Sequence, residues 1–194
     1  MSQLPEVRLR SRREWRTWLT RNHEADHSIW LAYPKKDSPD FRDLTYDAIV
    51  EEALCFGWID SVPRRRDDGW AMIRVSPRKA KSGWSRKNKI RVAQLIRDGR
   101  MTDAGLSKIS AAKKDGSWSS LDAAEAMSIP DDLRRALAEN ATARRNFDAF
   151  PPGSRKIILQ WILGAKRPAT RDARVAETVR LAAVGKRANH YRET

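Results

Sequence analysis

At 194 residues, with 40% hydrophobic and 33% charged positions, the chain is long enough to bury one good core, or one main domain with a small appendage, and is neither fibrous nor disordered in composition. No apolar run nears the roughly 18 residues of a membrane helix, and the opening Met1-Ser-Gln-Leu-Pro-Glu6 lacks the basic-then-apolar order of a secretory signal, so a cytoplasmic location is expected. The formal net charge of +14 directs attention to anionic partners, because crowded like charges repel and do not hold a fold together.

Ser11-Arg-Arg-Glu14 is a capping-box pattern, and Trp15, Trp18 and Leu19 follow at helical spacing, which predicts a short amphipathic helix. Ser28–Tyr33 is short, apolar and rich in strand formers, with Pro34 to end it. Thr45 caps a predicted helix through Phe56, and Gly57 stops it. That helix is apolar over so much of its surface that it should lie across a mainly antiparallel sheet and bury Ile49, Ala53 and Phe56. Ile59–Asp67 and Trp70–Ser76 flank Asp67-Asp68-Gly69, a strong hairpin signal; Pro63 assigns the first of these strands to an edge or delays its start. Helical pattern resumes over Ser85–Asp98 and Thr102–Asp115, closed by Gly99 and Gly116. From Ser119 onward only helices are expected: Leu121–Met127, Pro130–Glu139, Ala141–Phe150, Ser154–Ala165 and Thr170–Val184. The expected class is α+β, a small antiparallel sheet packed with helices over residues 1–117, followed by a helical part over 118–194.

Motifs for catalysis are few. His23-Glu-Ala-Asp-His27 matches the H-E-x-x-H zinc pattern, but that pattern works only where one helical face carries both histidines. Here Asn22 and Asp26 favour a helix end, so a solvated connection and no metal are expected. Ser76-Pro-Arg-Lys79 is formally S-x-x-K, without the S-D-N and K-T-G partners that the acyl-serine reading requires. Glu51-Glu52 and Asp67-Asp68 look like helix-surface and turn residues. The lone Cys55 lies in an apolar pattern and reads as a buried small hydrophobe. Neither an enzymatic activity nor a cofactor is expected.

The stretch Leu54–Asn88 is the better candidate. Trp58, Trp70 and Trp84 fall in it, and Val62–Arg91 holds eleven Lys/Arg against two Asp, a local net of +9. Arg64, Arg65, Arg66, Lys79 and Lys87 are the candidate anion-binding residues, as charge-assisted donors to phosphate or carboxylate. Trp70 and Trp84 are expected to pack inward rather than stack on bases, since tryptophan mostly serves packing.

Several segments resemble one known group. Glu52-Ala-Leu-Cys-Phe-Gly-Trp-Ile-Asp-Ser61, Ser76-Pro-Arg-Lys79, Ser82-Gly-Trp-Ser-Arg-Lys-Asn88, Gly99-Arg-Met-Thr-Asp-Ala-Gly105 and Trp161-Ile-Leu-Gly-Ala-Lys-Arg167, with Thr170-Arg171, look like the YdeI/OmpD-associated, or bacteriocin-protection, family. The similarity extends from about Trp15 to Arg187. It implies protection against bacteriocins and cationic antimicrobial peptides, association with an outer-membrane porin, and no catalytic residues to carry over. Direct sequestration of a cationic peptide by so basic a chain is electrostatically disfavoured. The expectation is a non-enzymatic stress-tolerance protein that binds a small anionic ligand or an unknown protein partner. Its groove should lie around Trp58, Asp60, Arg78, Trp84, Ser85 and Asn88, with Asp60 paired to its surroundings, for instance to Arg78, or facing the ligand. The alternative is a nucleic-acid binder using the basic Val62–Arg91 face.

Overall fold

A computed structural model describes residues 4–66 and 69–190. The chain divides into two compact units, Met1–Ser119 and Ser120–Thr194.

The N-terminal unit contains β1 (Glu6–Arg8), α1 (Arg12–Asn22), β2 (Ile29–Pro34), α2 (Tyr46–Cys55), β3 (Trp58–Arg65), β4 (Trp70–Pro77), α3 (Arg86–Arg97) and α4 (Asp103–Lys114). Helix α1 starts on the full capping box: the Ser11 hydroxyl accepts from the Glu14 amide at 3.2 Å, and the Glu14 carboxylate accepts from the Ser11 amide at 3.3 Å. The Thr45 hydroxyl caps α2 in the same way, and Gly57 follows the helix at φ +74°, a conformation costly for any residue with a Cβ.

The sheet runs β1-β2-β4-β3. β4 pairs antiparallel with both β2 and β3, as the hairpin pattern predicts, and β3 is an edge strand whose register shifts between Asp60 and Pro63. Asp67 and Asp68 of the expected turn lie outside the described residues. The sheet is mixed rather than purely antiparallel, because β1 adds parallel to β2. Parallel neighbours need a crossover of about a dozen residues, and α1 supplies it. The class is α+β, with its helices continuing alone in the C-terminal part.

Strand alternation divides the sheet into two faces. Ile29, Leu31, Ile73 and Val75 point into the main core with Trp15 and Leu19 of α1 and most of α2. Ile49 and Ala53 are fully buried and Phe56 is 5% exposed, as the apolar breadth of α2 requires. At roughly 25 cal/mol per Å² of apolar surface, burying three such side chains stabilises by several kcal/mol. The Trp15 indole also donates to the Ile49 carbonyl at 3.0 Å, so α1 and α2 are held by a directional bond as well as by packing.

Glu52 corrects the sequence reading. It is not a helix-surface residue but is 1% exposed, enclosed by three arginines from two segments, α1 and the α3–α4 connection. Arg12 Nε and Arg16 Nη1 donate to it at 2.7 and 2.6 Å, and Arg100 completes the cage. Burial alone would push this carboxyl up; the hydrogen bonds from Arg12 and Arg16 outweigh it and hold the group below the usual carboxylate range.

The C-terminal unit contains α5 (Asp122–Glu125), α6 (Asp131–Ala138), α7 (Ala141–Ala149), α8 (Pro152–Leu163) and α9 (Pro168–Ala183). Leu133, Leu137, Phe147, Ile158, Leu159 and Ile162 form its core, at the spacings the sequence shows. α8 and α9 begin two residues earlier than expected, on Pro152 and Pro168, because proline at the first helical position forfeits no hydrogen bond. The expected Leu121–Met127 helix contracts to the four residues of α5.

Candidate functional site

A cleft of about 750 Å³ opens in the N-terminal unit. Four separate segments build it: the α1–β2 connection with His23 and His27, the α2–β3 turn at Gly57, the end of β4 from Arg74 to Lys79, and α4 with Lys108. Gly57 sets the approach of two of them. A Cβ at this position would stand 2.7 Å from Lys108 Cγ and 3.2 Å from the Ala104 carbonyl. The Gly57 carbonyl accepts from the Arg78 amide at 2.9 Å, which brings Arg78 to the cleft just after β4 ends at Pro77.

Arg78 is the unusual residue here. It is only 5% exposed, its guanidinium lies 3.7 Å from the Trp84 ring centroid, and Nη2 donates to the Gly83 carbonyl. Nε is buried and has no hydrogen-bond partner among the described residues. Burial pulls the group down to about 10, against a smaller opposing influence from Asp60. Arg74, Lys79 and Lys108 add positive charge around it, against Glu24 and Asp26.

The other expected groove residues are dispersed. Trp58 is fully buried in the core, where its indole donates to the His23 carbonyl at 2.9 Å and its ring meets Trp18 edge-on. Asp60 pairs with Tyr46, whose hydroxyl donates to Oδ2 at 2.7 Å; burial and this bond push Tyr46 up to about 12. Trp84 is 1% exposed, between Arg78 and Trp118. Ser85 caps α3 by accepting from the Asn88 amide, and the Asn88 side chain accepts from Arg91 at 3.1 Å. The groove centred on these six residues therefore reduces, at the cleft itself, to Arg78.

The basic stretch is also split. Arg65 pairs with Ala71, seven positions before Arg78, so some 20 Å of strand separates it from Arg78 at about 3.3 Å per residue, although the cleft's Arg74 lies three positions from Ala71. Arg64 lies over Trp30 at 5.8 Å, Arg65 is exposed, and Arg66 donates to Glu6. Lys79 lines the cleft, while Lys87 stands on α3 at 3.6 Å from Asp47. Trp70 and Trp84 are both buried.

His23 and His27 reach the cleft without forming the zinc arrangement. α1 ends at Asn22, His23 caps it with Nδ1 donating to the Leu19 carbonyl at 3.2 Å, and His27 lies beyond the helix. No group of three or more potential metal ligands occurs among the described residues. Ser76 is on extended strand, where it does not share a helical turn with Lys79. Burial pushes the Cys55 thiol up, which suits a packing role. Lys108 had no local signal in the sequence; only tertiary packing brings it to Arg74 and Lys79 of the basic stretch.

Residues 7–108, more than half of the chain, match the family model described as Domain of unknown function (DUF8412). The chain belongs to this family. Residues 126–185 match the model described as Bacteriocin-protection, YdeI or OmpD-Associated, so that resemblance is shown for the C-terminal part only. The segments between Glu52 and Gly105 that suggested it lie instead in the first match, whereas Trp161–Arg171 lies in the second. Every residue lining the cleft, from His23 to Lys108, falls within 7–108. No curated protein and no solved structure matches the chain.

Proposed function

We propose that the protein acts by binding rather than by catalysis, in a bacteriocin-protection-type role, and that its N-terminal unit takes a small anionic ligand in the cleft floored by Arg78. The match over residues 126–185 supports the role. One observation carries the mode of action: a guanidinium 5% exposed, with a buried Nε that has no acceptor among the described residues, at a cleft ringed by further cations. An unsatisfied buried donor costs about 1–3 kcal/mol, and more when charged. A carboxylate or phosphate in the cleft offsets the charge of this guanidinium, and the surrounding lysines compensate the ligand's own charge.

Calorimetric titration of the full chain with inorganic phosphate and with citrate at low ionic strength tests this. Saturable binding is expected, lost in Arg78→Met and weakened at least about fivefold in Lys108→Ala, a fraction of what one charge-assisted bond contributes. The affinity should hold through neutral pH and fall as pH rises through about 10, where Arg78 gives up its proton. Cells relying on Arg78→Met should lose tolerance to a bacteriocin challenge. Absence of binding by either anion, with the chain folded, overturns the reading.

A further inference from the structure

The sheet face turned away from the main core is cationic and aromatic, and it shares Arg74 with the rim of the cleft. Two rows cross it in register. Glu6 of β1 stands beside Trp30 of β2 and Arg74 of β4; one step along, Arg8, Ala32, Met72 and Arg64 follow in line across all four strands. The residues buried on this side are Ala32, Trp70 and Met72, with Trp30 partly buried against them. Their cover is arginine: the Arg8 guanidinium lies 4.6 Å from the Trp70 ring centroid, and Arg64 lies 5.8 Å from that of Trp30. Glu6 is the one carboxylate in the two rows, and it is already bonded to Arg66 at 2.5 Å.

Such a surface asks for two properties in one partner. Positive charge on three of the four strands, Arg8 of β1, Arg74 of β4 and Arg64 of β3, suits a polymer of anions, because each offers its donor at a different point along it. Indole rings under those charges suit a partner that also carries flat π-surfaces. An acidic peptide provides only the first property. A duplex provides both but keeps its bases stacked inside, out of reach of a sheet. We propose that this face binds single-stranded nucleic acid, with phosphates held by Arg8, Arg64 and Arg74 and a base stacked on Trp30. Arg64 stands above Trp30 and can hold the phosphate beside the stacked base. Trp70, 6% exposed beneath Arg8, positions that arginine rather than receiving a base. The partner is recognised without base-edge readout, so the binding is sequence-tolerant.

The test is an anisotropy titration of the full chain against labelled single-stranded DNA of mixed sequence, with the matching duplex and polyglutamate alongside, across a salt series. The single strand should bind best, with affinity falling steeply with salt. Trp30→Ala should weaken it by roughly 10- to 100-fold, the loss that follows from removing one stacked base. Arg64→Ala, at an exposed position of the edge strand, should weaken it and flatten the salt slope by about one. Arg145→Ala, an exposed arginine of the C-terminal unit, should do neither. Arg78→Met should leave this binding intact, so that failure of the cleft reading and failure of this one are told apart. Equal binding of duplex or polyglutamate, no binding, or indifference to both Trp30→Ala and Arg64→Ala would each overturn the proposal.

Discussion

The two units are almost equally basic yet use charge in opposite ways. Residues 1–119 carry 25 Lys/Arg against 16 Asp/Glu, and residues 120–194 carry 14 against nine. In the C-terminal unit ionic groups stay at the rim of an apolar helical core, as in the Arg171–Asp132 pair, and the buried polar residues are the neutral Ser154 and Thr178. In the N-terminal unit two charged residues are buried outright. Glu52 is fully compensated by three arginines, whereas Arg78 is only partly satisfied. Net charge alone would not separate these regions. What separates them is whether a wholly buried charged residue has its partners inside the fold. Arg78, beside the cleft, does not, whereas in the C-terminal unit the unpartnered buried Nε among the described residues belongs to Arg155, a residue that is only partly buried.

The largest expected effect that sharpens this contrast is at Glu52. Glu52→Gln leaves Arg12, Arg16 and Arg100 facing a neutral group and should cost about 3 kcal/mol in urea unfolding, near the lower end for breaking a buried pair because the arginines are partly exposed. The pH dependence follows from the direction of the shift. With its folded value depressed, Glu52 stabilises fully above the ordinary carboxylate range, and that contribution disappears as pH falls through its folded value. Glu52→Gln should therefore flatten the acid limb of the stability profile. Gly105→Ala comes next, at about 2–3 kcal/mol by overpacking. Its Cβ would stand 2.3 Å from the Cys55 carbonyl, which also accepts from the Thr102 hydroxyl at 2.6 Å, so α4 would be forced off the end of α2. Thermal unfolding of this variant checks that close helix approach, not only charge, shapes the cleft wall.

The smallest effect belongs to the C-terminal unit. The Ser154 hydroxyl meets His190 Nε2 at 3.1 Å and accepts from Arg187 at 3.2 Å, tying the segment after α9 to the start of α8. Ser154→Ala should cost about 1 kcal/mol, the net value of an ordinary hydrogen bond, and leave anion titrations unchanged. A loss of anion binding would break the division of labour between the units.

Local chemistry made much of this fold readable. The caps at Ser11 and Thr45, the breadth of α2 and the edge position of the Pro63 strand each depend on neighbours in sequence. β1 was missed because three residues, two of them charged, carry no strand pattern until β2 lies beside them. Glu52 was misread for a related reason: helical periodicity shows which face a residue occupies but not that arginines from α1 and the α3–α4 connection converge on it. The candidate site was legible only at Arg78 and Lys79. Trp58, Ser85 and Asn88 are consumed by packing and capping, and Lys108 reaches the cleft through a contact with Gly57 that spans fifty-one positions.

The edge strand β3 has a consequence for how the protein behaves when crowded. An open strand edge is a template on which another chain can add, and runaway addition of this kind ends in aggregation. Here that edge is interrupted between Asp60 and Pro63, lacks an amide donor at Pro63, and carries Arg64 and Arg65 beyond it. The opposite edge, β1, offers only three residues. Neither border of the sheet presents a long, flat, uncharged row of backbone groups, so the molecule resists ribbon-like self-assembly at high concentration.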